Sequence, residues 1–173
     1  IDTREQMVAS ILSKKLTAGS SYLVIDIPVG PTAKVRDSAE AARLRKLFEY
    51  VGGNLNLNLD IRLTDGSQPI GRGVGPILEA RDVMAVLRND ADAPADLRDR
   101  SLLLAGALIE ADTSVKGGHG IHRARELLSS GAAMAAMEQI ILAQGPNNTP
   151  MIPNATGQEI AAPRDGIVRA IDC

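Results

Sequence analysis

The chain has 173 residues, 45% of them apolar and 23% charged, and a net charge of −2. That is long enough for a real hydrophobic core, and the near-neutral balance gives no electrostatic footing for nucleic acid or an anionic membrane surface. The only aromatics are Tyr22, Phe48 and Tyr50, too few for a single-strand stacking platform, and no apolar run reaches membrane-spanning length.

In chain order, Met7, Val8, Ile11, Leu12 and Leu16 recur at helical spacing, with Gly19 as a stop. Residues 22–27, YLVIDI, form a short β-branched run that predicts a buried strand. A Pro/Gly loop, PVGPTAKV, follows, and Asp37 with Glu40 has capping-box spacing. Ala39, Ala42, Leu47, Phe48 and Val51 predict a helix ending near Gly52 and Gly53. Leu55, Leu57, Leu59, Ile61 and Leu63 then alternate with polar residues, which predicts a strand with one buried face. Helix, strand, helix, strand implies a parallel pair with helices packed on it. The expected class is therefore α/β: part of a mixed or parallel sheet with flanking helices, followed by a helical segment. That segment holds helices from Pro76, over 97–109, over 121–128 and over 132–142, with Gly131 between the last two. The stretch GPNNTPMIPN reads as a linker, with short strands expected at 159–161 and 167–171. Residues 1–145 read as one domain portion, and 146–173 as a linker and the start of another. Ile1 is not a methionine, and both ends read as cut. The lone cysteine, Cys173, has no internal partner and fits a reducing cytoplasm.

Three segments can carry chemistry. In MVASILSKK, Ser10 and Lys14 are four apart and share a helix face, either as a polar ligand contact or as a solvated helix end. In DIPVGPTAKV, Lys34 lies on a loop after a strand, where open α/β sheets bind ligands; it is otherwise an idle surface lysine. The spacing of a phosphate-binding Walker loop is missing. In TDGSQPIGRGVGPILEARD, glycines precede a helix whose amides could receive an anion, or merely let the chain turn. Gly71 to Pro76 is not a dinucleotide fingerprint. His119 and His122 lack a third ligand nearby, so no metal site is expected.

In order and spacing, ASILSKKLTAG, DIPVGPTAKV and TDGSQPIGRGVGPILEARD resemble the thymidine/pyrimidine-nucleoside phosphorylase family, and the match runs along the whole chain. The wording DIPVG and QPIGRGVGP is closer to the branch of AMP phosphorylases and type 2 thymidine phosphorylases. The ordinary pyrimidine branch carries KVGSGAF where this chain has PVGPTAK. The resemblance implies an internal fragment, the second part of a central α/β domain, with the phosphate-binding segments upstream. It implies a homo-oligomeric pentosyltransferase that takes a nucleoside or nucleotide and inorganic phosphate, and needs no cofactor. By the same resemblance, Asp2 matches the proton donor of the AMP phosphorylase branch, Ser10 a substrate-binding serine of both branches, and Lys14 the base-binding lysine of the thymidine enzymes. Lys34 matches a nucleotide-binding lysine of the AMP enzymes, which favours a substrate carrying a 5′-phosphate. Ile70, Gly73 and Asp82 fall where the pyrimidine branch can hold potassium, but Asp replaces the usual Glu, so no metal is assigned. Thymidine, uridine and AMP stay open as substrates. A non-catalytic small-molecule binding domain and a purely structural fragment are the competing readings.

Overall fold

The structure, a computed structural model, describes residues 3–146 and 157–171. These fall into two compact units: 3–69 with 110–116, and 70–109 with 117–146 and 157–171.

The first unit contains α1 (Arg4–Thr17), β1 (Tyr22–Val29), α2 (Ser38–Asn54) and β2 (Asn58–Asp65). α1 starts at Thr3, whose hydroxyl accepts from the Gln6 amide at 3.2 Å, and Gly19 ends it at φ 76°. That left-handed geometry suits glycine, which carries no Cβ to clash. α2 opens with the expected reciprocal box. Asp37 accepts from the Glu40 amide at 2.7 Å, and Glu40 accepts from the Arg36 amide at 3.2 Å.

β1 and β2 pair in parallel, from Tyr22 opposite Asn58 to Val29 opposite Asp65. The α2 crossover makes this direction possible. Side chains alternate across the strands, so Leu23, Ile25 and Ile27 share a face with Leu59 and Ile61. That face joins Val8 and Leu12 of α1 and Ala41, Leu44 and Phe48 of α2 in one core. The opposite face sets Asp26, Asp60, Arg62 and Thr64 beside Tyr22, Val24 and Pro28. Arg62 forks onto Asp60, with Nε donating to Oδ1 at 2.8 Å and Nη2 to Oδ2 at 2.6 Å. That fork holds the guanidinium above its ordinary pKa.

β2 begins later than the alternating leucines suggest. α2 continues through Gly52 and Gly53 to Asn54, and Leu55 caps it by donating to Val51 and Gly52 carbonyls. Leu55 therefore serves the helix end, and the ladder starts only after Leu57. Helix capping satisfies carbonyls that would otherwise lack donors, and it wins over the β pattern here.

The second unit is helical among its described residues: α3 (Pro76–Arg88), α4 (Ala95–Ile109), α5 (Gly120–Ser129) and α6 (Ala132–Gln144). Its core gathers Val86, Leu102, Ala124 and Leu128. A Cβ on Gly106 would stand 2.7–2.9 Å from Ile121, so α4 and α5 approach as closely as they do only because residue 106 has no side chain. Asn89 ends α3 in the left-handed conformation, and its side-chain amide donates to the Leu128 carbonyl at 2.8 Å, tying α3 to α5.

The strands expected at 159–161 and 167–171 do not form: the described residues 157–171 carry no strand and are exposed. A short extended run becomes a strand only on a ladder, and the described strands β1 and β2 pair with each other. The linker reading at 145–154 lies mostly outside the described residues. Among these, no helix is long and apolar enough to cross a membrane.

Phe48 is 1% exposed and Tyr50, two residues along the same helix, is 71% exposed. Phe48→Ala is expected to cost about 3–5 kcal/mol of stability and Tyr50→Ala less than about 0.5 kcal/mol, read from urea unfolding midpoints. Equal midpoints for the two variants would contradict this core.

Candidate functional site

Parallel pairing brings the carboxyl ends of β1 and β2 to one edge, the position where open α/β sheets present ligand loops. From β1 the chain enters the loop that carries Lys34. The Gly30 amide donates to the Val35 carbonyl at 3.1 Å, and the Ala33 amide to the Gly30 carbonyl at 3.0 Å. Val35 also bridges to Val29 and is buried. Lys34 is thus the exposed residue of a closed loop whose neighbour, Val35, anchors in the core.

Beneath this loop lies a cavity of about 290 Å³. Met7 and Ile11 of α1, Ile25 and Ile27 of β1, and Phe48 of α2 line it, and Lys34 stands among its lining residues. Ser10 and Lys14 are exposed on α1. At about 3.6 residues per turn they fall beside Met7 and Ile11, on the side away from the buried Val8 and Leu12. The structure therefore sets the line Ser10–Lys14 next to the helix edge that borders the Lys34 cavity. Lys14 sits in the last turn of α1, where the helix dipole favours a cation. Asp2 lies outside the described residues.

Asp26 opens the DIPVGPTAKV segment, and nothing in that motif singles it out. This half-buried strand carboxylate accepts from the Thr64 hydroxyl at 2.6 Å, across the two strands and 38 residues away in sequence. Only the parallel register makes that pair, and nothing local in the sequence signals it.

The glycine-rich segment behaves differently from the expectation that its amides receive an external anion. The Gly71 amide donates to Asp96 Oδ2 at 3.1 Å, and the Gly75 amide to Glu79 Oε1 at 2.9 Å. The Arg72 and Gly73 amides both donate to Asp82 Oδ2, at 2.6 and 2.8 Å. The chain's own carboxylates fill these amides, so they form a structural lock. Asp82 is likewise engaged by the Gly73 and Arg72 amides, and these bonds hold its carboxyl below the ordinary range. Among the described residues, no group of three His, Cys, Asp or Glu is placed to hold a metal. His122 Nδ1 lies 3.3 Å from Glu126 Oε1, one turn along α5, and His119 precedes that helix.

No protein-family model matches the chain. A protein of Bradyrhizobium sp. strain BTAi1 named "putative thymidine phosphorylase" is 61% identical over all 173 residues. Proteins of the same name from Rhodopseudomonas palustris strain CGA009 and Methylococcus capsulatus are 58% and 56% identical, over 173 and 172 residues. The chain spans about a third of the length of these relatives, 33–34%. The resemblance carried by the three segments thus extends along the whole chain.

The Asp82 lock has a pH signature. Amide bonds that favour the carboxylate depress its folded pKa, so their contribution is present above the unfolded carboxylate range and lost as pH falls through the lower folded value. Hydrogen exchange at Arg72 and Gly73, corrected for intrinsic rates, should therefore show protection near neutrality that disappears only in acid. Asp82→Ala should remove it at every pH. Protection that survives in the alanine variant would dissociate the loop from this carboxylate.

Proposed function

We propose that this chain is part of a pentosyltransferase that cleaves the N-glycosidic bond of a nucleoside with inorganic phosphate, releasing free base and pentose 1-phosphate. The observation that carries this reading is the 56–61% identity, along essentially the entire chain, to proteins named "putative thymidine phosphorylase". A site at the carboxyl edge of a parallel sheet, with lysines on two neighbouring elements, supports it.

The chemistry follows from charge. As phosphate attacks C1′, the sugar gains positive character and the base departs with negative charge unless it is protonated. Asp2, by resemblance the proton donor, supplies that proton if its pKa is raised. Lys14 and Ser10 face the charge developing on a base carbonyl, where a positioned cation and hydroxyl lower the barrier. Phosphate is a co-substrate, and no cofactor enters the reaction. The protein is proposed to be cytoplasmic and homo-oligomeric. Residues 1–173 alone, without the upstream phosphate-binding segments, are expected to release no base.

A second reading, phosphorolysis of AMP or another nucleoside 5′-monophosphate, is favoured by one observation. Lys34 is presented by a closed, core-anchored loop at the sheet edge, as a group meeting a 5′-phosphate would be. A panel of nucleosides and their 5′-monophosphates, each with phosphate and the full-length protein, tests both readings. Free base from none of them would end the phosphorylase proposal.

Two substitutions sharpen the roles. Lys14→Ala should reduce kcat/KM more than Ser10→Ala, because the lysine opposes a full charge formed in the transition state. Comparable small losses in both would return Lys14 to the solvated helix end. With a nucleotide substrate, Lys34→Ala should cost about 1.5–3 kcal/mol of binding, the range of a charge-assisted hydrogen bond. Because the phosphate is remote from the breaking bond, the loss belongs mainly in KM. A nucleotide-to-nucleoside ratio of kcat/KM unmoved by the substitution would leave thymidine or uridine as the better substrate.

A further inference from the structure

The loop that presents Lys34 leans on a second segment, the turn that follows β2. The Gly66 amide donates to the Val29 carbonyl at 2.9 Å, which joins this turn to the last residue of β1. A Cβ on Gly30 would lie 2.4 Å from both the carbonyl carbon and the oxygen of Gly66, and 2.5 Å from the Ser67 nitrogen. A Cβ on Gly66 would lie 2.9 Å from Pro28 Cβ and 3.0 Å from the Val29 nitrogen. Two backbones therefore touch where both chains lack a side chain. Asp65 shapes the turn itself, accepting from the Ser67 amide at 2.8 Å.

We propose that the turn over 65–67 is a positioning element for Lys34, and through it sets the preference for a substrate bearing a 5′-phosphate. The inference rests on the reading of Lys34 as the group that meets that phosphate. Within its own segment the lysine loop is closed by the Gly30–Val35 and Ala33–Gly30 bonds, which fix its shape. They do not fix its place over the strand ends. The contact between Gly30 and the turn does, because it pins the base of the loop from outside. A charged donor is most useful when held where the anion will be, and a displacement of an ångström can cost about a hundredfold in rate. Gly66 thus contributes without touching substrate, as a positioning residue whose small size is the functional property.

The test uses the full-length protein carrying Gly66→Ala, with Asp65→Ala as the milder second variant. The new Cβ in Gly66→Ala stands 2.9 Å from Pro28 Cβ and 3.0 Å from backbone, so the turn or the end of β1 must shift. Expected are faster hydrogen exchange over residues 29–35 and a nucleotide-to-nucleoside ratio of kcat/KM lowered roughly three- to tenfold. The loss should appear in KM for the nucleotide, with Tm close to wild type. A folded variant with unchanged exchange over 29–35, or with equal losses on nucleotide and nucleoside, overturns the proposal. If Gly66→Ala does not fold, Asp65→Ala decides by the same two measurements. Lys34→Ala, run alongside, separates the two levels. A ratio it leaves unmoved removes the phosphate reading and with it the specificity role. Whether the turn braces the loop is then settled by exchange alone, faster sustaining the brace and unchanged refuting it.

Discussion

Everything in the first unit follows from the parallel pairing of β1 with β2. Parallel strands cannot be joined by a hairpin, so α2 must cross over the sheet, and its buried stripe of Ala41, Leu44 and Phe48 then covers the apolar face. The same direction puts both strands' carboxyl ends on one edge. One loop from each strand meets there, and the absence of side chains at Gly30 and Gly66 lets the two backbones touch. An antiparallel pairing would send these loops to opposite ends and separate Lys34 from the turn over 65–67.

Two glycine-bearing segments of similar appearance take opposite roles. Around Gly71 to Gly75 the amides donate to Asp96, Asp82 and Glu79, so the local positive potential is already answered by the protein's own carboxylates. The loop over 30–35 instead closes on itself through backbone bonds and exposes Lys34. The difference is a matter of partners. Acidic side chains from α3 and the start of α4 take the amides of the first segment, whereas backbone carbonyls take the Gly30 and Ala33 amides of the second.

The two faces of the sheet divide the work in a similar way. On one, apolar residues join the helices in the core. On the other, the Asp60–Arg62 fork and the Thr64–Asp26 bond pair polar groups with one another, so their partial burial costs little. The alternation of the strands, with a period of two, is what allows one short sheet to do both.

Local patterns in the sequence determined the helices and the strand directions. The stripe from Met7 to Leu16, the Asp37–Glu40 box, the stop at Gly19 and the strand–helix–strand order each act within a few residues, and each appears where the pattern puts it. The placement of Lys14 on a helix and of Lys34 on a loop is equally a local fact. The tertiary structure alone decided the rest. It gave Leu55 to the end of α2 instead of to β2, because capping the helix carbonyls outweighs one more residue of alternation. It filled the glycine-rich amides with carboxylates from up to 25 residues away, and bonded Asp26 to a threonine 38 residues on. It also brought Gly30 against Gly66. Contacts of this kind depend on register and on the absence of a single side chain, and those are properties of two distant segments together, which neither segment's sequence expresses by itself.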